Sequence, residues 1–66
     1  ARDSYQKVLS ATQDKDLQAL MYYRIGNVYA DLAEDKENAR ENWQKAVAIS
    51  PGSNAASSAK ERLRSK

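Results

Sequence analysis

Apolar residues recur along the whole chain at intervals of three and four positions, the spacing that places side chains on one face of an α-helix. No stretch alternates apolar and polar residues over six positions, as a half-buried β-strand would. The pattern predicts about four helices, over residues 2–11, 15–33, 36–50 and 54–64. Because the connections are short, we expect neighbouring helices to pack antiparallel in an all-α fold.

Residues suited to cap or end a helix stand at the predicted boundaries. The candidate N-caps, whose side chains accept hydrogen bonds from the first free N–H groups, are Thr12, Asp14 or Asp16 for the second helix, Asp35 for the third, and Ser53 or Asn54 for the fourth. Pro51 and Gly52 form the one clear breaker cluster, and they separate the third helix from the fourth.

The second predicted helix has two apolar faces. One stripe consists of Leu17, Met21, Ile25, Val28 and Leu32, and the other of Tyr22, Gly26, Tyr29 and Ala33. Two apolar faces require two packing partners, which is natural in a stacked array where each helical hairpin touches one before it and one after it.

An internal repeat supports such an array. Ala1, Tyr5, Val8 and Leu9 have the same spacing as Ala39, Trp43, Ala46 and Val47, 38 residues later. Between them runs the pattern Tyr22-x-x-Ile25-Gly26-x-x-Tyr29, and Pro51 follows the second copy. On these residues the chain resembles the tetratricopeptide repeat family. The turn near residues 33–38 departs from the family pattern, since it is one residue longer and lacks the usual glycine.

The resemblance implies an α-solenoid of antiparallel helical hairpins in a single domain, 1–66. Residues 1–11 would be the second helix of a preceding repeat, 19–53 a full repeat, and 54–64 a capping helix at the C-terminal end of an array. Gly26 would admit a neighbouring helix closely, since a mid-helix glycine costs ~1 kcal/mol against alanine. Ala39 and Ala46 would line that contact, with Tyr22, Tyr29 and Trp43 as large fillers.

Composition narrows the function. Sixty-six residues make one domain, and a core of this size rarely supplies more than ~3–5 kcal/mol. Because the chain has no Cys and no His, disulfides, thiolate–imidazole zinc sites, a Ser-His-Asp triad and a cysteine nucleophile are excluded. The carboxylates lie at turns or in an exposed ladder such as Glu37 and Glu41, and no phosphate-binding glycine loop is present. We therefore predict no enzymatic activity, no cofactor and no metal site.

The charge is nearly balanced except at the C-terminus. The net charge is +2, but the last seven residues carry four bases against one acid, so the first 59 residues sum to −1. Basic side chains at a helix C-terminus also complement the helix dipole. This distribution does not predict nucleic-acid binding, and no apolar run approaches a membrane span. The composition fits a cytoplasmic and a periplasmic location equally.

The candidate binding surface follows from the resemblance. The family binds peptides on a concave face lined by the first helix of each hairpin, which corresponds here to Leu20, Tyr23, Arg24, Asn27, Ala30 and Asp31. The spacing independently places these residues on one face of the second helix. We therefore predict a protein–protein interaction scaffold that binds a peptide or partner segment. Tyr23 packing on the capping helix, Arg24 pairing with Asp31 or Glu34, and Asn27 serving as a polar surface residue remain structural alternatives.

Two other functions remain open. A self-assembly module would dock another copy on the face of Tyr5, Val8 and Leu9, giving a homo-oligomer through the N-terminal helix. An RNA-binding helical repeat is the second, although the −1 body and the single arginine on the candidate face weigh against it.

Overall fold

The computed structural model describes Lys7 and residues 9–64 of the chain. Helix α1 is represented by Lys7 and residues 9–11, α2 is Lys15–Asp31, α3 is Lys36–Ile49, and α4 is Asn54–Arg64. Helix α2 packs on α3, α3 packs on α4, and α4 also contacts α2. Since the described residues contain no strand, the predicted all-α fold of about four helices is confirmed.

The predicted helix starts are confirmed by their caps. Asp14 Oδ1 accepts hydrogen bonds from the N–H groups of Asp16 at 3.0 Å and Leu17 at 3.4 Å. Asp35 Oδ1 accepts from Asn38 N–H at 3.2 Å, and Ser53 Oγ accepts from Ala56 N–H at 3.1 Å. Helices α2, α3 and α4 therefore each begin where a side-chain acceptor satisfies an otherwise free N–H.

Two helices end slightly earlier than predicted. Helix α2 ends at Asp31 instead of residue 33, and Glu34 then takes a left-handed backbone with φ of 51°. This geometry lets Asp35 N–H donate to Tyr29 O at 2.8 Å, which closes the turn. Helix α3 ends at Ile49 instead of residue 50, because Ser50 precedes Pro51 and is extended, with φ −146° and ψ 79°.

Small residues dominate the core between α2, α3 and α4. Trp43 is its one large member, and the others are Ala19, Ala39, Ala46, Ala55 and Ala59. Partly buried side chains packed around this cluster are Leu20, Tyr22, Tyr23, Tyr29, Ala30, Val47 and Leu63. Alanine at the contact positions lets the helix backbones approach closely, so one indole ring fills much of the space between them.

The predicted close approach at Gly26 is confirmed. A Cβ atom at Gly26 would lie 2.5 Å from Trp43 Nε1 and 3.0 Å from the carbonyl oxygen of Ala39. Real Cβ contacts are longer than this, so the indole of α3 occupies the space that any other residue at this position would need. Gly26 therefore sets the distance between α2 and α3.

The first apolar stripe of α2 is covered along only part of its length. Met21 and Ile25 are buried, whereas Val28 is half-buried and Leu32 is 78% exposed. Ala33, at the end of the second predicted stripe, is exposed as well. Both residues were predicted to continue the packing faces, but they follow the last residue of α2 and are exposed, although Leu32 keeps a helical backbone and its N–H donates to Val28 O at 2.9 Å. The C-terminal end of α2 thus presents apolar surface to solvent.

Candidate functional site

The indole of Trp43 joins the core to the candidate binding face. Its Nε1–H points at two acceptors on α2, the carbonyl oxygen of Tyr23 and the side-chain oxygen of Asn27, each at 3.3 Å. This shared hydrogen bond satisfies the N–H of a ring that is only 6% exposed. Because Asn27 Oδ1 is held by Trp43, the orientation of the Asn27 amide is fixed.

Trp43 also contacts α4 through Arg62. The Arg62 guanidinium carbon lies 4.9 Å from the centroid of the Trp43 ring, a cation–π distance. Arg62 Nη2 also donates to Asp31 Oδ1 at 3.2 Å, the one ion pair within the described part of the chain. The Asp31 side chain remains 62% exposed. Arg62 therefore links the last turn of α4 to the last turn of α2.

The predicted peptide-binding residues divide into two groups. Leu20 and Tyr23 are half-buried and pack against the core cluster, as does Ala30. Tyr23 thus packs against a cluster that includes residues of both α3 and α4. Arg24, Asn27 and Asp31 instead lie together on the outer face of α2.

An open depression of about 410 Å³ marks this outer face. Its lining consists of Arg24, Asn27, Val28, Asp31 and Leu32. Sequence reasoning missed Val28 and Leu32 as surface residues, because it assigned them to a packing stripe. No glycine marks the end of α2, so the apolar pattern did not distinguish these two residues from the buried members of the same stripe.

Two polar groups of the depression have no ion-pair or hydrogen-bond partner among the described residues. Arg24 is exposed and makes no ion pair or hydrogen bond within the described residues, so the considered pairs with Asp31 and Glu34 do not form there. Asn27 Nδ2 likewise has no acceptor among the described residues. The depression therefore offers a guanidinium and an amide donor beside the exposed side chain of Leu32. These groups match a ligand with an acidic or carbonyl oxygen and an apolar side chain.

The other chemistry of the described residues lies away from the depression. The pKa of Asp35 is lowered from its ordinary value of 3.8, first by the hydrogen bond from the Asn38 side chain and then by that from the Asn38 backbone N–H. This shift belongs to the N-cap of α3. Within Lys7 and residues 9–64, no cluster of three or more acidic side chains is arranged to hold a metal ion. None of the helices there combines the length and apolarity needed to cross a bilayer.

Most of the predicted self-association face lies outside the residues that the structure describes. Tyr5 and Val8 lie outside the described residues, and Leu9 is half-buried.

Comparison of the chain with known proteins gives no match. No protein-family model matches the sequence, and no curated protein or solved structure matches it. The function of the chain is therefore inferred from the chemistry of α2 and from the helices that hold it.

Proposed function

We propose that this chain is a non-enzymatic protein–protein interaction scaffold of the tetratricopeptide-repeat type, and that the depression on α2 binds a segment of another protein. Residues 19–53 form the repeat, residues 1–11 belong to a preceding one, and 54–64 form the cap. The helical hairpin of α2 and α3 and the contact of Gly26 with Trp43 support the repeat assignment.

One observation carries the proposed site. Arg24 has no partner among the described residues, yet it stands in an open depression beside the 78% exposed Leu32. A charged donor next to an apolar side chain suits a partner segment that places a carboxylate beside an apolar residue. Because Trp43 fixes the Asn27 amide, the Nδ2 group can donate to the partner without further ordering.

The outer surface of α4 is consistent with a capping role. Its buried residues are the three alanines Ala55, Ala56 and Ala59. Its exposed residues are Asn54, Ser57, Lys60, Glu61 and Arg64. A polar outer face is what a terminal helix of a stacked array needs, because no further hairpin covers it.

The test is amide-shift mapping with short peptides that carry an aspartate or glutamate next to a leucine. We expect shifts at residues 24–32 and at the Asn27 side-chain amide, with weak binding because the depression is shallow. Arg24→Gln should weaken binding several-fold. The control is Arg40→Gln, because Arg40 is exposed on α3 and makes no ion pair within the described residues. Shifts confined to α3, or equal losses in both variants, would contradict the proposed site.

A further inference from the structure

We infer that the partner segment includes α2 of a second copy of this chain, so that the depression is the interface of an antiparallel homodimer. This inference rests on the proposed function, because it uses the same surface, and it names the occupant. It differs from self-association through Tyr5, Val8 and Leu9, since it places the contact at the C-terminal half of α2.

Arg24 and Asp31 are placed symmetrically along α2. In two antiparallel helices related by a two-fold axis, residues equally far from the axis on opposite sides face each other. Arg24 and Asp31 are equally distant from the midpoint between Asn27 and Val28. Each lies about 5 Å along the helix from that midpoint, given a rise of ~1.5 Å per residue. An axis at the midpoint therefore brings Arg24 of each copy opposite the second copy's Asp31, twice in one dimer.

The charges of these residues suit this arrangement. Arg24 has no partner within the described part of the chain, and Asp31 is 62% exposed. Arg62 occupies Asp31 Oδ1, while Asp31 Oδ2 has no hydrogen-bond donor among the described residues. The second copy's Arg24 can therefore bind the open oxygen of Asp31 without displacing Arg62. The depression thus carries both the donor and the acceptor that its own two-fold partner requires.

The apolar residues follow the same symmetry. Val28 lies next to the midpoint, so it meets Asn27 and Val28 of the second copy. Leu32 lies opposite the level of the second copy's Tyr23, next to Arg24, whose aliphatic stem can cover part of the exposed surface of Leu32. An interface formed by one helical face of each copy buries a small area compared with most stable protein interfaces. We therefore expect a weak dimer that forms at high micromolar to millimolar concentration and weakens as salt is added.

Charge exchange provides the decisive experiment, measured by sedimentation equilibrium on the whole chain. Arg24→Glu alone and Asp31→Lys alone should each be monomeric, because each places two like-charged pairs across the two-fold axis. An equimolar mixture of the two variants should form a heterodimer, since every pair is then of opposite charge. We expect the mixture to associate at least tenfold more tightly than either variant alone.

A matched variant separates the interface from the internal ion pair. Arg62→Gln breaks the contact with Asp31 but leaves the charges of the depression's lining unchanged, so its dimer should persist. Circular dichroism melts establish that each variant is folded. A wild type that is monomeric at millimolar concentration would overturn the inference. A dimer that survives in both single variants would overturn it as well, because the contact would then lie elsewhere.

The outcome also separates this inference from the proposed function. If the wild type is monomeric while the acidic leucine peptides still shift Asn27, the second copy is not the occupant and the peptide-binding role stands. If the two variants form the heterodimer but no peptide binds the monomeric Asp31→Lys variant, which keeps Arg24 and Asn27, the homodimer stands and binding of foreign segments does not.

Discussion

Replacing Gly26 with alanine tests the packing on which the fold depends. The new Cβ would lie 2.5 Å from Trp43 Nε1 and 2.6 Å from Trp43 Cδ1, so the indole must move by about 1 Å to restore an ordinary contact. Its movement is limited, because Trp43 is buried among alanines and hydrogen-bonded to Tyr23 and Asn27. The backbone oxygen of Ala39, at 3.0 Å, cannot retreat unless α3 shifts.

Two opposing effects set the magnitude. Alanine favours the helix by ~1 kcal/mol over glycine. Against this, overpacking costs ~1–3 kcal/mol, and weakening the indole hydrogen bond adds ~1 kcal/mol or more. We expect a net loss of about 1–3 kcal/mol, a large fraction of what a core of this size supplies. The midpoint of thermal unfolding should fall by roughly 4–8 °C for each kcal/mol.

The assay is thermal and urea unfolding, followed by circular dichroism and by Trp43 fluorescence. Gly52→Ala is the matched control, because a Cβ at Gly52 meets no atom within 4 Å and its φ is not positive. It should be neutral or stabilise the fold by ~0.4–1 kcal/mol. Gly26→Leu should leave the chain unfolded. If Gly26→Ala were as stable as Gly52→Ala, the close approach of the indole would be refuted.

Two further predictions concern the turn and cap between α2 and α3. Glu34→Gly should stabilise the fold by roughly 0.5–1 kcal/mol in urea unfolding, because the left-handed φ of 51° is strained for any residue with a Cβ. Glu34→Ala keeps the Cβ and should give no gain in stability. A glycine variant less stable than the wild type would contradict the strain at this position. Asp35→Ala should melt below wild type at neutral pH, with the gap closing as pH falls through the lowered pKa of Asp35, since a carboxyl whose folded pKa is lowered stabilises the fold only while ionised. A gap that stays constant from pH 6 to pH 2 would show that the ionised carboxylate contributes nothing to the cap.

The helices and their starts could be predicted because their causes are local. Asp14, Asp35 and Ser53 each cap a helix through N–H groups two or three residues further along, so a short stretch of sequence contains both partners. Gly26 was informative for a similar reason: a glycine in the middle of a helix costs stability and implies a close neighbour. Ala39 was expected at that contact, whereas Trp43, whose indole lies nearest to Gly26, was expected only as a large filler.

The candidate surface was only partly predictable, because its limits depend on contacts between distant residues. Asp31 lies on the face that the spacing indicated, but its partner Arg62 comes 31 positions later. Tyr23 shares that face, yet the approach of α3 and α4 turns it into a core neighbour. The end of α2 is set by Glu34 adopting a left-handed backbone without glycine, so the exposure of Leu32 was not evident from the pattern.

Trp43 connects the core of the fold to the proposed binding surface. Gly26 admits the Trp43 ring, and the indole N–H then holds Asn27 at the edge of the depression. The Arg62 guanidinium lies over the same ring and pairs with Asp31 at the C-terminal end of the depression. Because Asn27 contacts Trp43 directly and Asp31 is connected to it through Arg62, a change that moves the indole should alter the positions of these two polar groups as well as the core. A Gly26→Ala chain that remains folded should therefore lose affinity at the depression, although residue 26 faces the opposite side of α2.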